Sequence, residues 1–528
     1  MLSGQLATHH DRTFVDSLLT GLTHGFLTGI TNPPTTSKEC RNLLSARADP
    51  STVTQLLQKE LDNGYLIGPF QLSPFPVHRV SPIGLAVRKY SLKKRLITDH
   101  SSPHNSDTPS LNSLIDKTEY SLTYVRIDDA ITVLKSLGPG AIMCKTDIQD
   151  AFKQIPLHPS VWHLHGVQWD GSYYYYTRLV FGSRSSPHIF DRLARALCWI
   201  ATNSYNIHHI LHLLDDFLTI DSSTSDGPAA MRKLVQMFHL LRIPLSASKT
   251  VGPTTCLEFL GITLDSQLME ARLPQDKIDR IVDMIDTIQA KRTVTKRHLL
   301  QILGHMNFAM QVIRPGRAFV GYLLRLAHSV SELHYHVTIT SECRLDFRMW
   351  FSFLQHWNGK SFFLEDAIRA HDFQLFTDAA ASIGHGAYFQ GLWFAERWPA
   401  DFLDVASADM SIALLELYPI VMAAVIWGHL WSTKTIHFAC DNTTTVAILN
   451  KTRSKSSFIM SLLRKLVLTA ATHNFLFFAS HVPGRTNLIG DALSRFQMDK
   501  FRRLAPHASP TSTRCLPVSQ LTVPPATT

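Results

Sequence analysis

Two short apolar runs that end in carboxylates constrain this chain more than any other feature. KTDIQDAFKQIPLHP sets Asp147 at the end of a strand-like lead, Ala141–Cys144. HILHLLDDFLTID sets Asp215 and Asp216 between two strand-like runs, at the turn of an expected hairpin. Carboxylates from separate strands that meet at one sheet edge make a site for hard divalent cations, because oxygen ligands suit Mg²⁺. A lone Asp-Asp pair is more often a simple hairpin turn, so the neighbouring residues must decide.

A second alternating block begins near Phe373. FQLFTDAA, HGAYFQ and LWFAERW read as three strands, followed by a long helix around Glu416, the strand TIHFACDN, the helix SFIMSLLRKLVLTAATHN, the strand FLFFASHV and the short helix LIGDALSR. Four acids are spread over it: Asp378 on the first strand, Glu416 on the long helix, Asp441 ending the fourth strand and Asp491 opening the last helix. Each alone is more often a cap or turn residue. Together they are placed to converge on paired Mg²⁺ ions.

Composition bounds the rest. A chain of 528 residues is long enough for roughly three to four domains. With 45% apolar and 18% charged residues it reads as globular. The net charge of +9 suits a polyanionic partner, although a solubility effect explains it nearly as well. Seven dispersed cysteines form no CxxC pair, which argues against zinc modules and a disulfide scaffold and for a reducing, intracellular compartment, cytoplasm or nucleus. The first residues lack a secretory signal pattern. Residues 412–431 are apolar enough for a membrane span, but Glu416 and Pro419 in the first half favour a buried helix, and no membrane partner is expected.

Elsewhere, residues 1–50 are weakly patterned, and STVTQLLQKELDNGYL has helical spacing ended by Gly64. Ile83–Arg88 and Arg95–Thr98 read as short strands joined by a basic tip. Residues 276–330 are mostly helical, with Ile278, Ile281, Ile285 and Ile288 in one stripe and Leu299, Leu300 and Leu303 beginning another. From Ala505 a Pro/Thr/Ser-rich tail is expected to be disordered.

With these neighbours in view, the first constellation resembles a reverse transcriptase. Asp147 looks like the first catalytic aspartate of the palm and Asp215–Asp216 like the YxDD box, here Leu-Leu-Asp-Asp with Leu213 where Tyr is usual. The resemblance makes Phe152 the aromatic gate that excludes a ribose 2′-hydroxyl. It assigns Gly182 and Ser186, in LVFGSRSSPHIF, to the loop that cradles the nucleotide. Phe181 there replaces the Gln of retroviral enzymes. It gives Arg95 and Lys89 the triphosphate, and Lys249 a proton for pyrophosphate. The second constellation resembles the four-acid site of RNase H, with His481 in SHVPGRTNLIGDALSR as a proton shuttle.

The resemblance implies an α+β right-hand polymerase followed by an α/β RNase H-like domain: an extension over 1–50, fingers and palm over 51–270, a helical thumb over 271–330, a connector over 331–370, the RNase H-like domain over 371–498 and the tail over 499–528. It implies two Mg²⁺ ions at each site, with Mn²⁺ as a substitute. The partners would be an RNA template, a DNA primer, the RNA–DNA hybrid and dNTPs, with a separate tyrosine recombinase and nucleocapsid protein. Within the family, GFLTGI, SPIGLAVRK and RLDFRMWFSFLQHWNGKSFF are similar to DIRS-like retrotransposons. The rival expectation is a silent, domesticated nucleic-acid-binding descendant, against which all seven metal-ligand candidates stand intact.

Overall fold

In the computed structural model, which describes residues 1–87, 94–104, 106–224, 227–356, 360–361, 368–369, 372–400, 402–403 and 410–522, the chain divides into two units, Met1–Phe259 and Leu260–Thr528. In the first unit, helix α1 (Pro50–Asp62) starts on a side-chain cap. Asp49 accepts the Thr52 N–H, Pro50 occupies the first turn, and Val53 and Leu57 face inward. Strands β1 (Ile83–Val87) and β2 (Lys94–Thr98) pair antiparallel, Ile83 opposite Thr98. The tip between them, with Lys89, lies outside the described residues. A five-stranded sheet beside them includes Leu66–Phe70, Gly166–Trp169 and Ser172–Tyr176.

The centre of this unit is a four-stranded antiparallel sheet in the order β6-β3-β5-β4, built from β3 (Ile142–Asp147), β4 (Ile210–Leu213), β5 (Asp216–Asp221) and β6 (Val251–Thr254). Helices α2 (Ser186–Tyr205) and α3 (Gly227–Leu240) cover it, sending Leu193, Leu197, Leu234 and Phe238 into one cluster with Phe217 of β5. Side chains alternate along a strand, so packing Phe217 edge-on to Phe238 turns Asp216 to the other face. The first fifty residues contribute more than their pattern suggested. Helix Arg12–His24 buries Val15 and Leu18 in the same cluster.

The second unit opens with a strand pair, Ile262–Asp265 and Glu270–Arg272, and continues in α4 (Gln275–Gln289), whose Ile278, Ile281, Ile285 and Ile288 are all buried, as their spacing predicts. In α5 (Lys296–Ala309), Leu299 and Leu303 face inward with Ile302 and Met306, while Leu300 lies on the exposed side. Helix α6 (Ser341–His356) follows. Beyond it, β7 (Leu375–Ala380), β8 (Gly384–Phe389) and β9 (Leu392–Arg397) form an antiparallel meander, and β10 (Thr435–Cys440) runs parallel to β11 (Leu476–His481). Helices α7 (Ile412–Trp427), α8 (Thr443–Lys451), α9 (Ser457–Thr472) and α10 (Leu488–Ser494) complete the fold.

Helix α7 is apolar on every side and nearly every residue of it is buried, Pro419 and Glu416 included. Residues 412–431 are long and apolar enough to cross a membrane, but here they form the centre of a packed core with Trp427, Trp431, Leu463 and Leu466. The tail departs from expectation. Helix Met498–Leu504 buries Phe501, the Thr513 N–H donates to the Trp393 carbonyl, and Val518 and Leu521 enter the core. Scattered apolar residues and backbone donors hold this Pro/Thr/Ser-rich segment, features that composition averages away.

One ion pair in this unit is fully enclosed. Arg464 of α9 donates to Asp346 of α6 at 2.7 Å, with both side chains buried. Breaking such a pair leaves an uncompensated buried charge. Arg464→Met is therefore expected to destabilise the unit by about 3–5 kcal/mol in urea titrations. The double variant with Asp346→Leu should recover much of that loss.

Candidate active sites

Antiparallel register does the first part of the assembly. Asp147, the last residue of β3, sits directly opposite Asp216, the first of β5, and Asp216 pairs in turn with Leu213 of β4. The β4–β5 turn is two residues long, with Leu214 at φ +53 and Asp215 beside it. The Asp215 carbonyl accepts the Ile148 N–H at 3.0 Å, stitching the turn to the chain leaving β3. All three acids meet at one edge. Asp147 is almost wholly buried, and Lys249 donates to its Oδ2 at 2.6 Å.

Electrostatics follow from that crowding. Burial raises the Asp215 carboxyl, the Asp147 charge adds to the shift, and Lys249 and Arg95 oppose it. Burial also raises Asp216, against Lys145 and with the help of Asp147 opposite. Like charges held together in a half-buried edge favour protonation unless a cation is bound. The donor set, carboxylate oxygens from three adjacent positions, fits a hard divalent ion.

The remaining described candidates lie in the same unit. Phe152 follows Asp147 in a short 3₁₀ turn, Ala151–Gln154, and is wedged between Phe181 at 4.8 Å and Phe190 at 5.7 Å between ring centroids. Phe181 is half exposed and Phe152 nearly buried, so Phe181 forms the outer surface of the pair. Gly182 has φ +98, and a Cβ there would overlap the Thr98 carbonyl oxygen, so only glycine lets this loop abut β2. Arg95 is exposed on β2. Ser186 is fully buried and donates to the Val180 carbonyl at 2.8 Å. Its hydroxyl braces the loop from inside.

The second quartet also converges. Asp378 on β7 is buried and accepts from Ser494 of α10 at 2.5 Å, and its pKa is pushed up to about 6, first by burial and then against that hydrogen bond. Glu416, buried in α7, is pushed up to about 9 by burial and by the charges of Asp378 and Asp441. Carboxylate oxygens of Glu416 and Asp441 and the Cys440 sulfur lie within 4.8 Å of one another. Asp491 is tied to Arg495 at 2.5 Å and Lys500 at 3.1 Å. Burial raises its carboxyl, but these two cations outweigh that and lower it. His481 ends β11 in register with Cys440 and is exposed. The turn after it abuts the site, since a Cβ on Gly484 would stand 2.8 Å from Asp441 Oδ2.

Residues 82–264 match the family of reverse transcriptases (RNA-dependent DNA polymerases). The chain carries a reverse transcriptase domain. Protein P of duck hepatitis B virus (strain China) is 22% identical over 180 residues, and that of strain Germany/DHBV-3 is 23% identical over 181. Each match takes 34% of this chain and 22% of the relative, so the chain spans about a fifth of the length of these curated relatives. Among solved structures, the foamy viral protease-reverse transcriptase dRH in complex with ds DNA has a TM-score of 0.51 at 16% identity, covering 86% of this chain and 73% of that one. The same viral protein in complex with dsDNA has a TM-score of 0.50 at 16% identity, covering 91% and 96%. This is a likeness of polymerase fold.

The matched stretch of the reverse transcriptase domain contains Asp147, Asp215, Asp216 and every nucleotide-contact candidate; the second quartet lies outside it. Sequence reasoning missed the residues that hold the acids: Ser494 on Asp378, Arg495 and Lys500 on Asp491, and Cys440 beside Glu416. Asn487 also braces this site, donating to the Thr377 carbonyl at 2.8 Å. The raised Glu416 gives a signed expectation. Its neutral form is favoured on folding, so stability present below its ordinary pKa of 4.5 is lost as pH climbs through about 9. In chelator, the melting temperature should fall between about pH 5 and pH 9. Glu416→Gln should flatten that fall, and a divalent cation should reverse it, both read by thermal unfolding.

Proposed function

We propose that this chain is the reverse transcriptase of a retrotransposon, an RNA-directed DNA polymerase whose C-terminal RNase H-like domain degrades the RNA of RNA–DNA hybrids. The observation that carries the reading is the face-to-face register of Asp147 and Asp216 with Asp215 at the turn. Asp147, Asp215 and Asp216 would hold Mg²⁺ in the polymerase, and Asp378, Glu416, Asp441 and Asp491 in the nuclease, with Mn²⁺ as a substitute. Paired ions would supply an activated 3′-hydroxyl or water and neutralise the leaving group.

The chain's own residues do the rest. Arg95 offers a forked donor to triphosphate oxygens, and Lys89 is its proposed second contact. Lys249, already on Asp147, is poised to give a proton to the departing pyrophosphate. The Phe152 ring beneath the sugar leaves no room for a 2′-hydroxyl. His481 moves protons at the nuclease site. Template, primer and hybrid are bound chiefly through phosphates, so affinity falls with salt. The DIRS-like assignment, an intracellular location, and a separate tyrosine recombinase and nucleocapsid protein belong to the same proposal, supported by the sequence similarities alone.

Two variants test the halves separately. Asp215→Asn should abolish primer extension on an RNA template while hybrid cleavage persists; normal extension would overturn the palm assignment. Asp441→Asn should stop Mg²⁺-dependent hybrid cleavage and spare extension, with the two activities scored in one gel assay. Retained cleavage would remove Asp441 from the site.

A further inference from the structure

A buried lysine stands directly after Phe152, and nothing in the chemistry above uses it. Lys153 is almost wholly enclosed, and its Nζ lies 2.8 Å from Glu60 Oε2 near the end of α1. The same ammonium sits 3.8 Å above the centre of the Tyr176 ring, with Tyr65 at 5.8 Å. An ammonium taken out of water persists only where an opposite charge and an electron-rich face replace its hydration. Burial lowers its pKa and the Glu60 charge raises it again, the balance expected of such an enclosure.

The two neighbours enter different cores. Phe152 belongs to the cluster of Phe190, Leu193 and Phe217, under the acid edge. Tyr176, which Lys153 stacks on, belongs to another, with Val53 and Leu57 of α1 and Ile83 of β1. The 3₁₀ turn is thus fastened on both sides: one side chain reaches the cluster beneath the palm sheet, and the next reaches the helix bearing Glu60. The turn's backbone bonds are local, Lys153 N–H to the Asp150 carbonyl at 2.7 Å and Ile155 N–H to the Phe152 carbonyl at 3.2 Å, so the side chains on its two sides tie it to the rest of the fold.

We infer that the Lys153–Glu60 ion pair, clamped on Tyr176, is a positioning device that fixes the Phe152 ring and thereby sets the enzyme's discrimination between deoxyribo- and ribonucleotides. This rests on the reading of Phe152 as the sugar gate. Lys153 touches no nucleotide; it acts through the turn it shares with Phe152. Loss of the pair lets the turn shift, opens room beneath the sugar, and improves ribonucleotide use through KM rather than kcat.

The test measures kcat/KM for a dNTP and the matching rNTP in the full chain, comparing Lys153→Met, Glu60→Gln, Lys153→Arg and Phe152→Ala. Lys153→Met keeps the length of the stem. Glu60→Gln leaves Lys153 in place and is the milder variant should the first fail to fold, as circular dichroism would reveal. The expected result is a fall in dNTP preference of roughly 10-fold in both, expressed in the rNTP KM, with partial recovery in Lys153→Arg and a larger fall in Phe152→Ala. If Phe152→Ala loses discrimination while folded Lys153→Met and Glu60→Gln keep it, the positioning role is wrong and the gate stands. If Phe152→Ala itself keeps discrimination, the gate reading falls and takes this inference with it.

Discussion

The pairing of β3 with β5 is the constraint on which the polymerase site depends. With Asp147 opposite Asp216, a shift of one residue would turn one of the two acids to the other face of the sheet. The register is held by burial on the covered face, where Phe217 packs against Phe238, and by the turn between β4 and β5. Apolar packing under the sheet therefore decides where the charges above it meet. The Ile148 N–H to Asp215 carbonyl bond and the Ser246 N–H to Asp147 carbonyl bond at 2.8 Å close the edge around them.

The second site reaches the same end by other means. Its acids come from one strand, the residue after another and two helices. Glu416 is delivered by a helix so apolar that its carboxylate has no exposed face to turn toward. That burial raises its proton affinity far more than an exposed acid would experience, and a neighbouring acid adds to it. Asp491 lies at the opposite extreme, held by two cations at the rim. One quartet thus contains a carboxyl whose burial favours its protonated form and another that two flanking cations favour in its ionised form.

Much of this was legible in the sequence where a period was long and regular. The strand ending in Asp147, the Leu-Leu-Asp-Asp turn, the isoleucine stripe of α4 and the buried character of α7 all follow from spacing, and all appear where expected. In the N-terminal helix, Thr, Ser and Gly interrupt the apolar stripe of Phe14, Val15, Leu18, Leu19 and Leu22 that packs inward. The tail escaped notice because its contacts are backbone hydrogen bonds to Gly391 and Trp393 and a few isolated apolar anchors, which leave no periodic trace. The inward hydrogen bond of Ser186 is equally illegible in the sequence, because a hydroxyl in such a loop reads the same whether it faces outward or braces the backbone. Pairings such as Lys153 with Glu60 join residues far apart in the chain and are invisible until the fold brings them together.

The stretch from Asp147 to Ile155 shows why these misses matter. The Gln149 N–H donates to Pro244 at 2.9 Å, the Lys153 N–H to Asp150 at 2.7 Å and the Ile155 N–H to Phe152 at 3.2 Å. A non-glycine residue at positive φ, here Asp150, persists where surrounding structure over-determines it. Asp147 and the Phe152 ring, the metal ligand and sugar gate of the proposed function, hang from this one segment, so a shift in its path moves both. Fixing it from the strand side by register and from the helix side by a buried charge is what a site needs when the steric difference between substrates is a single oxygen atom. Under the proposed function, the acids would need only to be near enough to share counterions, whereas a steric gate would need its ring held more tightly.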